Sequence, residues 1–156
     1  MKITRWIIIS LLGLLPLVAS GQIVADSTTR VSILVTSPGT EVYELEGHAA
    51  LRINGTGNDV CVNWGLFDFS APNFVYRFVK GETDYSVGAQ HTPYFIYQYQ
   101  REGRSITEIP LNLSNEQVSK VVELINVNLY PESRIYRYNY VKDNCATRPL
   151  AIIEKP

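Results

Sequence analysis

The chain has 156 residues, of which 46% are hydrophobic and 19% charged, and its formal net charge is −1. A chain of this length can bury a core, and 14 basic residues against 15 acidic ones, without a long run of one sign, do not indicate a nucleic-acid-binding protein. Two cysteines and two histidines occur without the paired spacing of metal ligands, so we expect neither a metal nor a cofactor.

The first 21 residues have the three parts of a secretory signal. Basic residues open the segment, an apolar run extends over residues 7–18, and small residues suited to cleavage follow at 19–21. A transmembrane anchor is the alternative, but Gly13 and Pro16 interrupt a run that is shorter than the ~20 apolar residues a spanning helix needs. We therefore expect export to the periplasm or cell envelope, with one mature domain over residues 22–156.

The mature part begins with a strand and a hairpin. Residues 30–36 are apolar and β-branched, which predicts a buried strand. Two further apolar segments, 48–53 and 59–65, flank a loop of turn-forming residues at 54–58 and predict a β-hairpin.

The register of this hairpin decides which side chains share a face. Pairing Arg52 with Asp59 sets opposite charges beside the turn and places His48 opposite Asn63. Because side chains alternate along a strand, one face then carries His48, Ala50, Arg52, Asp59, Cys61 and Asn63. The other face is a core face, with Ala49, Leu51, Ile53, Val60, Val62 and Trp64.

The remaining elements alternate irregularly between helix and strand, which is typical of an α+β domain with an antiparallel sheet packed with helices. Thr92 with Pro93 is a helix cap with proline at the first position, and Ser114 with Gln117 forms a capping box. The predicted elements are helices over 72–79, 94–101 and 114–130 and strands over 85–89, 105–111 and 135–141.

Cys145 is the candidate nucleophile. It follows Asp143 and Asn144, either of which can cap a helix, so we expect its sulfur in a first helical turn. A helix N-terminus favours thiolate over thiol and lowers the pKa of the cysteine, and Arg148 lies one turn further on. A nucleophilic thiol also needs a base, and His48 is the better placed of the two histidines.

Three residues would complete a thiol site. Cys145, His48 and Asn63 match the pattern of nucleophile, base and orienting amide that papain-like enzymes use. A single histidine is more often structural, however, and two cysteines in an exported protein more often form a disulfide. A bond between Cys61 and Cys145 therefore stays an alternative.

Several segments carry a resemblance to a known family. Residues 44–52 (ELEGHAALR) are similar to a GHxALR motif, and the specific match is the ending, where residues 136–140 lead into the DNCATR of 143–148. Further similar segments, in the same order, are 63–69, 72–74, 80–85 and 101–104. Together they resemble the N-terminal periplasmic domain of Lnb-type lipoprotein N-acyltransferases, over nearly the whole mature chain.

The resemblance implies a fold and a reaction. The family resembles circularly permuted NlpC/P60 and lecithin-retinol acyltransferase domains, which implies a permuted papain-like fold with the nucleophile at a helix N-terminus. It implies that Cys145 attacks a phospholipid ester and carries the acyl chain as a thioester. His48 would act as base and Asn63 as the third polar residue, with a lipoprotein N-terminus as acceptor at a membrane surface. Residues that would support the site or bind substrate are Asn144, Arg148, Arg101 and Arg104, the last two either at phosphate head groups or in a salt-bridged surface.

Two other functions stay open. The same cysteine and histidine would serve an amidase or lipase of the cell envelope, and a disulfide between the two cysteines would make the domain non-catalytic. Full-length acyltransferases of this kind continue past the cysteine into a membrane-embedded part. Since residues 150–155 read as a helix that stops at Pro156, we expect the domain to be truncated at its C-terminal end.

Overall fold

Strands and helices follow one another irregularly along the chain, as the α+β prediction requires. A computed structural model describes residues 21–41, 43–67, 72–139 and 142–155, so nearly all of the expected signal segment lies outside the described residues. The strands are β1 (Arg30–Thr36), β2 (His48–Gly55), β3 (Asn58–Leu66), β4 (Asp84–His91), β5 (Ile106–Pro110) and β6 (Ile135–Arg137). The helices are α1 (Phe74–Val79), α2 (Thr92–Arg101), α3 (Asn115–Leu129) and α4 (Thr147–Ile153).

The described strands form one sheet in the order β5-β1-β2-β3-β4-β6, and every neighbouring pair is antiparallel. The predicted α+β fold with an antiparallel sheet and packed helices is therefore confirmed. Within the described ranges, none of the helices combines the length and the apolarity needed to cross a bilayer.

The two faces of the sheet carry separate apolar clusters. On one face, the apolar stripe of α3 packs on the core residues of the hairpin, and Ile152 of α4 joins them. On the opposite face, Phe95 of α2 packs with Leu34, Ala50 and Cys61. The hairpin β2–β3 thus lies between α3 and α2, and its polar face is turned toward α2.

The hairpin turn is tighter than we expected. Thr56 and Gly57 alone connect the strands, and Gly57 has φ 81°, a conformation that glycine adopts at little cost in two-residue turns. Ala50 therefore lies opposite Asn63, and the expected pairing of His48 with Asn63 is wrong by two residues. Because a shift of two preserves alternation, the predicted division of the hairpin into two faces is confirmed.

The shift turns the predicted opposite pairs into diagonal neighbours. Arg52 still reaches Asp59, with Nε 2.8 Å from Oδ1, and His48 still reaches Asn63. Diagonal side chains on one face of an antiparallel pair are within reach of long polar groups. The two side-chain interactions that we expected from the hairpin are therefore formed, although the predicted register was wrong.

Local signals predicted the helices with mixed success. The capping box of Ser114 and Gln117 is present, and α3 runs from Asn115 to Leu129 as its pattern predicts. The cap of α2 is His91 and not Thr92, whose buried hydroxyl instead accepts a hydrogen bond from the Cys61 thiol at 3.3 Å.

The last strand is shorter than predicted. We expected it over residues 135–141, but β6 ends at Arg137 and a backbone bridge then joins Asn139 to Asp143. Residues 140 and 141, between the two bridged residues, lie outside the described ranges. Asp143 then opens the DNCATR segment, which leads into α4.

Candidate active site

His48 and Asn63 lie at the end of the sheet where β2 begins and β3 approaches its last residues. The Nε2 atom of His48 is 3.1 Å from Oδ1 of Asn63. Because an amide oxygen only accepts hydrogen bonds, this contact places the ring proton on Nε2 and leaves Nδ1 with a free lone pair. The histidine is therefore held in the tautomer in which Nδ1 is the basic atom.

Cys145 lies in the turn that leads into α4. The side-chain oxygen of Asn144 accepts hydrogen bonds from the backbone N–H groups of Ala146 and Thr147, at 2.8 and 2.9 Å, so it caps the start of the helix as predicted. The helix itself begins at Thr147. Because the backbone N–H of Arg148 donates to the carbonyl of Asn144 at 3.1 Å, Cys145 lies in the turn that opens this helix.

Gly65 brings the cysteine and the histidine together. It has φ 109° at an irregularity between β3 and β4, a conformation that L side chains rarely adopt. A Cβ atom at this position would lie 3.7 Å from Cβ of Cys145 and 4.0 Å from Cε1 of His48. The two residues thus flank the same glycine. Because glycine has no side chain, Gly65 does not separate them.

The electrostatics of Cys145 differ from our expectation. Burial raises the pKa of its thiol above the usual value, and hydrogen bonds from the backbone N–H groups of Ala49 and of Cys145 itself oppose this rise without cancelling it. The predicted lowering of the pKa is therefore wrong. Removal of water around the sulfur outweighs the stabilisation that a nearby helix start provides.

The environment of His48 also favours its neutral form. Protein surrounds most of the ring, and this burial lowers the pKa of the imidazole, as does the positive charge of Arg104, while the contact with Asn63 opposes the shift. Cysteine and histidine are therefore both uncharged near pH 7. Such a pair works by general base catalysis, in which the proton leaves the thiol as the new bond forms.

Arg148 does not act on the thiol through a free charge. Its guanidinium forms two hydrogen bonds with the carboxylate of Asp143, of which Nη2 to Oδ2 is 2.8 Å, and it lies 3.6 Å from the ring centroid of Tyr136. The charge is paired and its donors are engaged. Arg148 therefore braces the segment that carries Cys145.

Tyr99 and Arg104 lie close to His48, and only Arg104 was a candidate from the sequence. The ring of Tyr99, on α2, stacks on the His48 ring with centroids 6.4 Å apart and planes 13° apart, a contact that the sequence did not predict. Arg104 lies over Tyr99, 4.6 Å from its centroid, and is 8% exposed. Its partners are Thr36, the carbonyl of Ser37, Glu44 and Glu102, so it forms a buried ion-pair cluster and not an open phosphate site.

The other charged candidate, Arg101, lies away from this site. It is exposed at the end of α2, with its guanidinium 5.9 Å from the ring centroid of Tyr97. His91, the second histidine, is exposed at the end of β4 and does not border the cleft described below. The structure therefore brings His48 to Cys145 and leaves His91 apart.

Cys145, His48 and Asn63 open into a single cleft of about 370 Å³. One part of its wall is polar and contains the acidic side chains that surround Arg104, together with Gln98 and Gln90. The other part is aromatic and is lined by Tyr43, Phe67, Phe78, Tyr85 and Tyr138, with Leu66 beside them. The cleft thus offers both polar and apolar surface beside one thiol.

Cys61 is a different kind of cysteine. It is fully buried under α2, and burial raises the pKa of its thiol to about 11. Both cysteines are free, so the alternative disulfide between them is not formed. Among the residues that the structure describes, no three metal-ligating side chains come close enough to hold an ion.

The arrangement provides the parts that acyl transfer requires. Cys145 supplies a thiol, His48 a neutral base with a fixed tautomer, and Asn63 the group that fixes it. The backbone of Ala49 and Cys145 counteracts the effect of burial on the pKa of the thiol, so the backbone beside the sulfur favours negative charge.

Comparison with known proteins identifies the family of the chain. No curated protein and no solved structure matches the chain at a significant level. A family model described as the Lnb N-terminal periplasmic domain matches residues 19–155, which include His48, Asn63 and Cys145. The description of this family indicates a place in the cell envelope. Since the match covers far more than half of the chain, the chain belongs to the family of Lnb N-terminal periplasmic domains.

Proposed function

We propose that the domain is a thiol acyltransferase, which moves an acyl chain from a phospholipid to the N-terminus of a lipoprotein through a thioester on Cys145. The observation that carries the proposal is the hydrogen bond from His48 Nε2 to Asn63 Oδ1, which leaves Nδ1 as the base beside the glycine that Cys145 also flanks. The Lnb family supplies the envelope context.

The first half of the reaction forms the thioester. As the Cys145 sulfur bonds to the ester carbonyl carbon, Nδ1 of His48 takes the thiol proton. The tetrahedral intermediate then collapses, its C–O bond breaks, and the imidazolium gives the proton to the departing glycerol oxygen. The products are the acylated Cys145 and a lysophospholipid.

The second half transfers the acyl group. The neutral amine at the N-terminal cysteine of a lipoprotein attacks the thioester carbonyl, and Nδ1 accepts a proton from that nitrogen. The C–S bond breaks, an amide forms, and the proton passes to the sulfur to restore the thiol.

Two backbone N–H groups support both tetrahedral intermediates in this proposal. They are those of Ala49 and Cys145, which counteract the effect of burial on the pKa of the resting thiol. When the sulfur attacks, charge develops on the former carbonyl oxygen, and donors already held in place stabilise it without reorganisation. Ala49 belongs to β2 and Cys145 to the turn before α4, so the proposal uses two elements that the fold brings together.

The order of these elements favours a permuted papain-like arrangement. The strand that carries the histidine precedes the cysteine and its helix along the chain, whereas papain has the reverse order. We infer the permutation from this order and from the pairing of His48 with Asn63.

The test follows the acyl chain. The purified chain is incubated with phospholipid in detergent micelles, and its intact mass and digested peptides are measured. We expect an acyl group on Cys145, none in Cys145→Ala, and wild-type labelling in Cys61→Ala, which serves as the matched control. Absence of acylation on Cys145 in the folded protein would refute the proposal.

A second stage separates transfer from hydrolysis. The chain is expressed in cells that lack their own N-acyltransferase, and lipoprotein N-termini are examined by mass spectrometry. We expect N-acylation that Cys145→Ala abolishes. Free fatty acid without N-acylated lipoprotein, again dependent on Cys145, would instead identify a lipase.

A further inference from the structure

The aromatic wall of the cleft is a continuous surface of ring contacts. Phe67 lies at its centre, with ring centroids 5.4 Å from Tyr43, 6.4 Å from Phe78 and 5.2 Å from Tyr85. Tyr138 extends the surface by stacking on Tyr85 at 4.1 Å. These rings come from two elements and three connecting segments, so the fold, and not one local segment, assembles them.

Gly65 joins this surface to the nucleophile. A Cβ atom at Gly65 would lie 3.8 Å from the ring of Tyr85 and 3.7 Å from Cβ of Cys145. Because glycine has no side chain, the space between the thiol and the first ring stays open. An apolar group bonded to the sulfur can therefore run from Cys145 onto the rings.

Charge is concentrated around Arg104, at the end of the aromatic surface that Tyr43 forms. Arg104 holds Glu44 and Glu102, each at 3.2 Å, and is stacked on Tyr99, which in turn covers His48. The described lining next to Gly65 includes Tyr85, Phe67 and Leu66, the last of which is 43% exposed. This side of the cleft suits an uncharged, apolar occupant.

We propose that the surface formed by Tyr43, Leu66, Phe67, Phe78, Tyr85 and Tyr138 is the subsite for the fatty acyl chain that Cys145 carries, and that it selects long chains over short ones. The inference rests on the proposed acyl transfer. The occupant is fixed by continuity with the sulfur, because the groove begins where the acyl carbonyl carbon would be attached. Burial of methylene groups against the rings then supplies the selectivity.

The experiment compares acyl donors that differ only in chain length. The purified chain reacts with p-nitrophenyl acetate, butyrate or octanoate, and release of p-nitrophenolate and the mass of acylated Cys145 are followed, with Cys145→Ala as the background. Each methylene that becomes buried is expected to raise the acylation rate constant by up to about fourfold. We therefore expect octanoate to react fastest in the wild-type protein.

Two variants test the surface itself. Phe78→Ala removes a half-buried ring from the surface. Leu66→Ser replaces an exposed apolar side chain whose loss the fold can tolerate. Both are expected to lower the ratio of the octanoate rate to the acetate rate roughly tenfold, which corresponds to the loss of one to two buried methylenes. Tyr76→Ala is the matched control, since Tyr76 is on the same helix as Phe78 but is 61% exposed and outside the cleft.

The outcomes separate the subsite from the reaction. If acetate and octanoate acylate Cys145 at equal rates, or if the variants slow both donors equally, the subsite is wrong and the thioester chemistry stands. If neither ester acylates Cys145 in the folded protein, the proposed function fails and the subsite with it.

Discussion

At the scale of single residues, two opposing effects set the protonation state of Cys145. Burial favours the neutral thiol, whereas the N-terminus of α4 favours the thiolate. Asn144 caps α4, and the thiol beside it receives two backbone hydrogen bonds, yet burial still raises the pKa of Cys145. Burial likewise lowers the pKa of His48. A neutral thiol beside a neutral imidazole has little charge to desolvate, which is why the fold can enclose both groups.

The first prediction concerns the pH dependence of thiol reactivity. Only the thiolate reacts with iodoacetamide, so the alkylation rate of a thiol whose pKa is raised should keep increasing with pH up to and beyond pH 9. The rate at Cys145 is measured by peptide mass spectrometry in the Cys61→Ala background. A plateau that begins near pH 6 would instead show a preformed thiolate–imidazolium pair.

At the scale of elements, Arg104 connects the segment after α2 to the end of β1 and to the loop before β2. It donates to the Ser37 carbonyl at 2.9 Å and to Thr36 Oγ1 at 3.1 Å, and it pairs with two glutamates. The Arg104 guanidinium also packs on the ring of Tyr99, which in turn stacks on His48. One buried cation therefore joins three segments and supports the base.

The second prediction removes this cation. Arg104→Met removes a buried guanidinium and leaves the half-buried carboxylate of Glu44 without its partner, so it should reduce the free energy of unfolding by about 2–4 kcal/mol, as measured by urea denaturation. Because the positive charge of Arg104 lowers the pKa of His48, its loss should raise that pKa and move the acidic limb of the Cys145 acylation rate to higher pH.

The control for this prediction is a helix cap far from the site. Ser114→Ala breaks the capping box of α3 and should cost about 1 kcal/mol, with no change in the pH profile of acylation. An unmoved acidic limb in Arg104→Met would mean that the cluster is structural only.

The elements also show what the sequence can and cannot predict. The boundaries of α3 followed from its capping box and apolar stripe, because both signals are local. The hairpin faces followed from alternation, but the register did not, since composition does not reveal that Thr56 and Gly57 alone would make the turn. The environment of Arg104 was missed because its partner Thr36 is 68 residues away in the chain.

The candidate site follows the same division. The motif segments predicted Cys145, His48 and Asn63, and the structure brings all three to one cleft. The raised pKa of Cys145 was not predicted because it depends on tertiary burial, and no helical or strand pattern reports that. Tyr99 was missed for the same reason, since only the packing of α2 on the sheet places its ring on His48.

At the scale of the whole molecule, the sheet separates its two thiols. Cys61 lies in the small cluster under α2, whereas Cys145 borders the cleft at the end of the sheet. The fold thus keeps a buried thiol and a site thiol apart in a domain of a periplasmic family.

The third prediction follows from this separation. The folded protein should contain two free thiols, of which Cys145 reacts with a disulfide reagent first. Cys61 should react only after denaturation, because it is buried and its pKa is about 11. Thiol titration with and without urea checks this. A mass two hydrogens below the reduced chain, with no free thiol, would instead reveal the disulfide.

The stability of the whole domain should fall in two steps as the pH is lowered. Since burial depresses the pKa of His48 in the folded state, the unfolded chain binds the extra proton first, and stability is lost as the pH falls below about 6.5. The slope of this step can reach about 1.4 kcal/mol per pH unit. Asp59, whose pKa Arg52 holds below the usual value, should add a second loss only below about pH 4.

The fourth prediction assigns each step to its residue. Urea denaturation is measured between pH 8 and pH 3 for the wild-type protein, His48→Gln and Asp59→Asn. Glutamine cannot take up a proton in this range, so His48→Gln should flatten the profile just below pH 6.5 and leave the lower step in place. Asp59→Asn should do the opposite. A step near pH 6 that persists in His48→Gln would show that the ring is protonated as readily in the folded state as in the unfolded chain, and the base would then not be held neutral.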